Sequence, residues 1–302
     1  RPRGAAVTVR AGHYVLAGGA INTPALLLRT GLPDPADAIG ARTFLHPSVV
    51  SAAVFADRVA GFDGAPQTIY TDHFLETDPI DGPLGFKLEA PPIHPLLFAS
   101  TLHGFGAEHA ERMKQFAHTH AAIALLRDGF HPASAGGRVR LGADGAPRLA
   151  YPLDGVVLEG AKRALLAMAE IQFAAGAQEV FPVDERLGGF RSWDAARAAI
   201  RSLRLEPIRT RFVSAHVMGG CAMSPDDRRG VTTPDGRLHQ VDNVSVHDGS
   251  LFPTSIGSNP QLSIYGITAR MATGLAGRLT GRPGLSVAFP ADANDAAPAR
   301  AR

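Results

Sequence analysis

His13-Tyr14-Val15-Leu16-Ala17-Gly18-Gly19-Ala20-Ile21-Asn22-Thr23-Pro24-Ala25-Leu26-Leu27-Leu28-Arg29-Thr30-Gly31 is the stretch that decides the fold class. Its apolar start, residues 13–17, reads as a short strand that the Gly18-Gly19 pair breaks. Thr23 is placed to cap the helix that follows, and Pro24 to occupy its first turn, where a missing N–H wastes no donor. Gly31 can end that helix in the left-handed conformation, and Pro33 and Pro35 stop it from resuming. The result is a strand, tight turn and helix unit, with another short strand expected just before it over Val7 to Arg10.

Beyond this unit the texture changes. From about Ser51 to Leu205, short β-like runs (Ser48 to Phe55, Gly85 to Glu89, Arg138 to Leu141) alternate with loops rich in Gly, Pro and Asp. That pattern predicts a mixed, largely antiparallel region. Asp144-Gly145 predicts a hairpin between Arg138 to Leu141 and Arg148 to Tyr151. Leu158, Ala161, Leu165 and Met168 recur at helical spacing, and Gly176 is placed to stop that helix. Further on, Val244 to Val246 reads as a buried strand running into Asp248-Gly249-Ser250, and Asn259 and Pro260 open a long helix through about Leu279. The last fifteen or so residues, rich in Ala, Pro and Asp, predict a loose tail.

Composition bounds the function. A chain of 302 residues suggests about two domains at ~150 residues each and can bury a core without staples. Its 45% hydrophobic and 19% charged content is that of an ordinary globule, and a net charge of +2 with no basic block names no nucleic-acid partner. The lone Cys221 excludes an intramolecular disulfide and a Cys-rich metal site. No apolar run reaches the ~20 residues of a membrane span. The chain starts at Arg1 without a leader, so the native start is expected to lie upstream.

Three separated segments carry a resemblance. The first is Val15 to Gly31, already quoted, followed by Leu45-His46-Pro47. The second is Ser214-Ala215-His216-Val217-Met218-Gly219-Gly220-Cys221-Ala222-Met223. The third is Val246-His247-Asp248-Gly249-Ser250-Leu251-Phe252-Pro253-Thr254, leading into Gly257-Ser258-Asn259-Pro260-Gln261. In order and spacing they resemble the C-terminal part of the glucose–methanol–choline (GMC) oxidoreductases, which are FAD-dependent. Thr30 stands where Ser is usual, Val217 where Pro is frequent and Gly220 where Thr is frequent. The family's opening Gly-x-Gly-x-x-Gly turn is not in these residues, and Gly104-Phe105-Gly106 lacks the third glycine.

The resemblance implies an α/β protein: a partial, Rossmann-like FAD-binding domain plus a mixed α+β substrate domain with a largely antiparallel sheet. Residues 1–50 and 206–285 would belong to the FAD domain, 51–205 to the substrate domain and 286–302 to the tail. The Gly-rich half would be supplied in cis or in trans. The implied chemistry is oxidation of the CH–OH group of a small-molecule alcohol, with hydride passing to FAD.

His216 is the implied base, because imidazole titrates near neutrality. Asn259 would position the alcohol oxygen, although Asn before Pro is also a good helix N-cap and both roles could hold. Pro260 and Gln261 start a helix whose positive end could face the flavin. Asp248 and Gly249 would meet the ribityl and pyrophosphate region, with Gly18 and Gly19 allowing close approach, although plain tight turns would explain these glycines too. His46 matches a family position beside the FAD domain and reads as structural, His247 receives no role and Cys221 reads as a packing residue.

His118 and His120 lack a third ligand nearby for a metal site. Apolar runs such as Pro95-Leu96-Leu97-Phe98 and Ala121 to Leu126 favour an aliphatic, aromatic or steroid-like alcohol over a sugar, although core packing explains them equally. Two rivals stand: a hydroxynitrile-lyase-type enzyme of the same fold with redox-silent flavin, and a non-catalytic fragment or subunit that needs its partner half. The electron acceptor is left open.

Overall fold

The computed structural model describes residues 7–65, 67–153 and 155–282. In chain order these form β1 (Tyr14–Leu16), α1 (Gly19–Thr30), β2 (Thr43–Phe44), β3 (Ser48–Val54), β4 (Tyr70–Thr71), β5 (Phe86–Glu89), α2 (Pro95–Thr101), α3 (Ala107–Lys114) and β6 (Thr119–Leu126). There follow β7 (Arg138–Leu141), β8 (Pro147–Ala150), α4 (Gly155–Ala174), β9 (Glu179–Pro182), α5 (Trp193–Ser202), β10 (Phe212–Val213), β11 (Met218–Gly219), β12 (Val244–Val246) and α6 (Gln261–Thr280). The loose tail expected over 286–302 lies outside the described residues.

The architecture is α/β in two parts. A six-stranded antiparallel sheet has the order β10-β3-β6-β5-β4, with β9 also paired to β3. Because side chains alternate across a strand, one face carries Val49, Ala53, Phe86, Leu88, Ala124 and Leu126, which pack on Val157, Ala161, Leu165 and Met168 of α4. Ser51 on this face donates to Gln172 Oε1 at 2.7 Å, and Gln172 Nε2 returns a bond to the Ser51 carbonyl at 3.1 Å, so the buried amide is satisfied. The opposite face carries Lys87, Glu89, Ile123, Leu125, Val50 and Ala52, as the register Lys87↔Leu125, Glu89↔Ile123 and Val50↔Ile123 requires. The second part is a parallel pair, β1 with β12, covered by a separate core of Leu27, Ile39, Cys221, Val246, Leu251 and Met271.

The β7–β8 hairpin turns at Asp144-Gly145 as the sequence predicts, α4 keeps its apolar stripe, and Gly31 ends α1 at φ 64°. Three local expectations are corrected. Val7 to Arg10 form no strand: the Tyr14 hydroxyl donates to the Val9 carbonyl and accepts the Ala11 N–H, and no ladder partner reaches this segment. Helix α1 begins at Gly19, ahead of Thr23, because the Asp248 carboxylate takes the Gly19 N–H at 2.9 Å and so satisfies the first turn from across the chain. Thr23 and Pro24 therefore lie inside the helix. The expected boundary between residues 50 and 51 falls within β3, and β10 of the C-terminal segment completes the same sheet.

Candidate functional site

Parallel strands converge on ligands at their carboxyl ends. Here Leu16 of β1 lies beside Val246 of β12, so Gly18 and Gly19 emerge next to Asp248 and Gly249. Gly19 has φ +78° and nothing within 4 Å of where a Cβ would stand, so its backbone faces open space. At Gly249 a Cβ would stand 3.0 Å from Ile264 Cδ1, so this glycine lets α6 approach. The Asp248 carboxylate is buried and accepts from the Gly19 N–H (2.9 Å), the Thr23 hydroxyl (2.6 Å) and the Ser250 N–H (2.7 Å). Most of its acceptor capacity is used in tying α1 to β12. The outer edge of β12 is bonded by residues 236–238, where the Leu238 N–H donates to the Val244 carbonyl at 3.0 Å and the Val246 N–H to the Gly236 carbonyl at 2.8 Å; the other edge, that of β1, bears no strand among the described residues, and Tyr14, Val15, Leu262 and Tyr265 are exposed. Gln261 is exposed at the start of α6 and donates to the Tyr265 hydroxyl at 2.7 Å.

His216 lies between β10 and β11, on a loop held to Leu45 by the Ser214 hydroxyl, which donates to the Leu45 carbonyl. Its position depends on the glycines after it. Gly219 and Gly220 have φ +82° and +95°, and a Cβ on Gly219 would stand 2.0 Å from the Arg42 carbonyl oxygen. These glycines allow β11 to pair closely with β2, which fixes both histidine-bearing loops.

His216 Nδ1 lies 3.1 Å from His46 Nδ1, and the two rings are 5.2 Å apart between centroids. His46 is fully buried at φ 52°. Beside its backbone lies Asp128, a carboxyl that burial raises to about 6 and that accepts from the Tyr151 hydroxyl. Burial, then His216 and then Lys87 depress His46 to about 3, so it is neutral. His216 is likewise held below the ordinary imidazole range, first by burial, while the Glu89 carboxylate raises it and Lys87 lowers it.

Asn259 meets the same ion pair. Lys87 Nζ lies 2.9 Å from Glu89 Oε1 and donates to Asn259 Oδ1 at 2.9 Å, with the Tyr70 ring centroid 4.2 Å away. Asn259 Nδ2 donates to Glu89 Oε2 at 3.3 Å, and Gln67 Nε2 donates to the same oxygen at 3.0 Å. Ammonium offers only donors and carboxylate only acceptors, so the amide orientation is fixed. One Asn259 N–H is left for another acceptor. The N-cap role anticipated for Asn259 is not taken: α6 has Pro260 at its cap position and no side-chain capping bond, because Lys87 occupies the amide oxygen.

Lys87, Glu89 and the proximity of His46 to His216 are the features that sequence reasoning missed. The available signal was the alternation Phe86-Lys87-Leu88-Glu89, which puts opposite charges on one face of a strand. Cys221 is fully buried and its thiol is pushed up by burial. His118 accompanies the Ala56 carbonyl and His120 stands edge-on to Phe55. Among the described residues no group of three His, Cys, Asp or Glu is placed to hold a metal, and no helix is long and apolar enough to cross a membrane.

The chain is similar to known proteins in sequence and in fold. The N-terminal GMC oxidoreductase family model matches residues 2–48 and the C-terminal model residues 132–268. An uncharacterized GMC-type oxidoreductase of Mycobacterium tuberculosis is 30% identical over 284 residues, which cover 93% of this chain and 42% of that protein. A long-chain-alcohol oxidase of Arabidopsis thaliana is 27% identical over 269 residues, covering 84% of this chain and 35% of its own length. The chain thus spans less than half of each relative. A solved formate oxidase of Aspergillus oryzae, from work on its FAD modification, shares the fold with a TM-score of 0.63 at 16% identity, covering 89% of this chain and 55% of that one. With both halves of the family's signature matched in chain order, the chain belongs to the GMC oxidoreductase family.

Proposed function

We propose that this chain supplies the proton-handling side of an FAD-dependent alcohol oxidoreductase, with His216 as base and Asn259 as the group that positions the alcohol oxygen. One observation carries this: Asn259 is hydrogen-bonded to both members of the buried Lys87–Glu89 pair, and the charges of that pair, after burial itself, also act on the titration of the sequence-distant His216. The residues at the carboxyl ends of β1 and β12 suit FAD, since Gly19 leaves its backbone open where a side chain would stand. Gly18, Gly19, Gly249 and the Pro260–Gln261 helix start would hold it, with Asp248 bracing the cradle. When bound, FAD supplies the hydride acceptor.

His216 takes the hydroxyl proton on Nε2, because Nδ1 faces His46. The competent tautomer has His216 Nδ1–H donating to the neutral His46 Nδ1, a bond that persists once the imidazole is charged. His46 then carries its own proton on Nε2, for which the described residues offer no acceptor. The depressed titration of His216 keeps it unprotonated at neutral pH, ready to accept. The remaining Asn259 N–H donates to the alcohol oxygen as negative charge develops there.

Anaerobic titration of the full-length protein with primary alcohols, followed by flavin absorbance, tests this function. Bleaching by an alcohol is expected. A flavin that stays oxidised while a cyanohydrin is cleaved would replace the proposal with the lyase.

A further inference from the structure

We propose that the apolar cavity on the Lys87–Glu89 face of the six-stranded sheet holds the hydrocarbon body of the substrate, and that the facing pair Ala52 and Ala121 sets the length accepted. This rests on the alcohol oxidoreductase function just proposed and names its substrate class: linear, apolar primary alcohols.

The sheet register aligns the cavity with the site. Glu89, Ile123 and Val50 form one row across the face, and Ala121, Ala52 and Phe181 form the next, two residues or ~7 Å further along the strands. Val50, Ala52, Ala121, Ile123 and Phe181 floor a cavity of about 280 Å³, with Phe98 of α2 above them. The first row thus includes Glu89, which bonds Asn259, and the cavity leads away from it. Arg112 also lines the cavity; its Nη2 meets Glu179 Oε1, one row further along the sheet, at 2.6 Å, and its guanidinium lies 4.8 Å from the Phe181 ring centroid.

The lining selects the ligand. Val50, Ile123, Phe98 and Phe181 offer a sugar hydroxyl no partner in exchange for the water it gives up, whereas methylenes lose nothing against them; the polar groups of the lining are Thr101, His103, Glu108 and Arg112. An apolar cavity of 150 Å³ holds a benzene ring, so a volume of about 280 Å³ admits roughly ten carbons. Its depth depends on two small side chains, because Ala52 and Ala121 are directly paired on the floor and any larger residue there fills the channel. A larger groove of about 480 Å³, lined by Phe74, Phe86, Trp193 and Arg197, lies on the opposite face, since Phe86 points away from its neighbour Lys87.

The test uses the full-length holoprotein and two series of linear compounds from two to twelve carbons. Primary alcohols report turnover, and saturated carboxylates of the same lengths, which cannot be oxidised at that carbon, report binding by calorimetry. Carboxylate affinity and alcohol kcat/KM should each rise about fourfold per methylene until the cavity is full near roughly ten carbons. Ala121→Phe should abolish the dependence on length while leaving the two-carbon compounds within about twofold of the parent. Ala52→Val, a milder filling, should shorten the optimum by one or two carbons if the larger variant does not fold. Affinity flat across lengths, or an equal loss for short and long compounds in both variants, overturns the proposal. Length-dependent carboxylate binding with a flavin that no alcohol reduces would instead uphold the cavity and sink the alcohol oxidoreductase function beneath it.

Discussion

Replacing Lys87 by Met removes the one cation that, among the described residues, lies within bonding distance of Glu89, and leaves that carboxylate, whose side chain is 3% exposed, to the neutral amides of Gln67 and Asn259. Breaking a buried ion pair from one side costs about 3–5 kcal/mol, mostly because the remaining charge is uncompensated. Lys87→Met should therefore destabilise by about 3 kcal/mol or more. Lys87→Met/Glu89→Gln, which leaves no buried charge, should be more stable than Lys87→Met alone. Urea unfolding of the parent, both single variants and the double variant completes the cycle.

The same variants should move the titration of His216 in opposite directions, since Lys87 lowers it and Glu89 raises it. The acid limb of the kcat/KM profile should shift to higher pH in Lys87→Met and to lower pH in Glu89→Gln. Additive destabilisation in the double variant, or an acid limb unmoved by both substitutions, would refute the claim that one ion pair acts on both the histidine and the asparagine.

His46 falls from the usual 6.5 to about 3 in the folded protein, so the unfolded chain binds its proton first as pH drops. The stability it contributes is complete above 6.5 and is lost through that window at up to about 1.4 kcal/mol per pH unit. His46→Asn should flatten the acid limb of the stability curve by that slope, and an unchanged slope would show that His46 is not buried neutral. Gly219→Ala combines a φ of +82° with a Cβ 2.0 Å from the Arg42 carbonyl oxygen. It should cost about 3 kcal/mol or more by thermal unfolding, and a parent-like Tm would contradict the packing of β11 on β2. Cys221, fully buried with its thiol pushed up, should resist alkylation under native conditions and react only on unfolding.

Elements whose stability is local could be read from the sequence. Helix α4 declares itself by Ala161, Leu165 and Met168, the β7–β8 hairpin by Asp144-Gly145, and the end of α1 by Gly31. The start of α1 could not be read, because its first N–H is satisfied by Asp248, a residue remote in sequence, rather than by Thr23. The same holds for Asn259. Local chemistry makes it a cap, but a lysine from β5 takes its oxygen first. The family motifs pointed to His216 and Asn259, whereas Lys87 and Glu89 sit in an unremarkable strand and gain meaning only when β5 is laid beside β6 and the loop before α6.

Stopped-flow flavin reduction in full-length His216→Gln, with FAD content matched to the parent, tests the base most directly. Reduction by a saturating alcohol should slow by about 10²–10⁴-fold, and the pH dependence attributed to the imidazole should vanish. A variant that reduces its flavin at the parental rate, with the parental pH profile, would show that the proton leaves by another route.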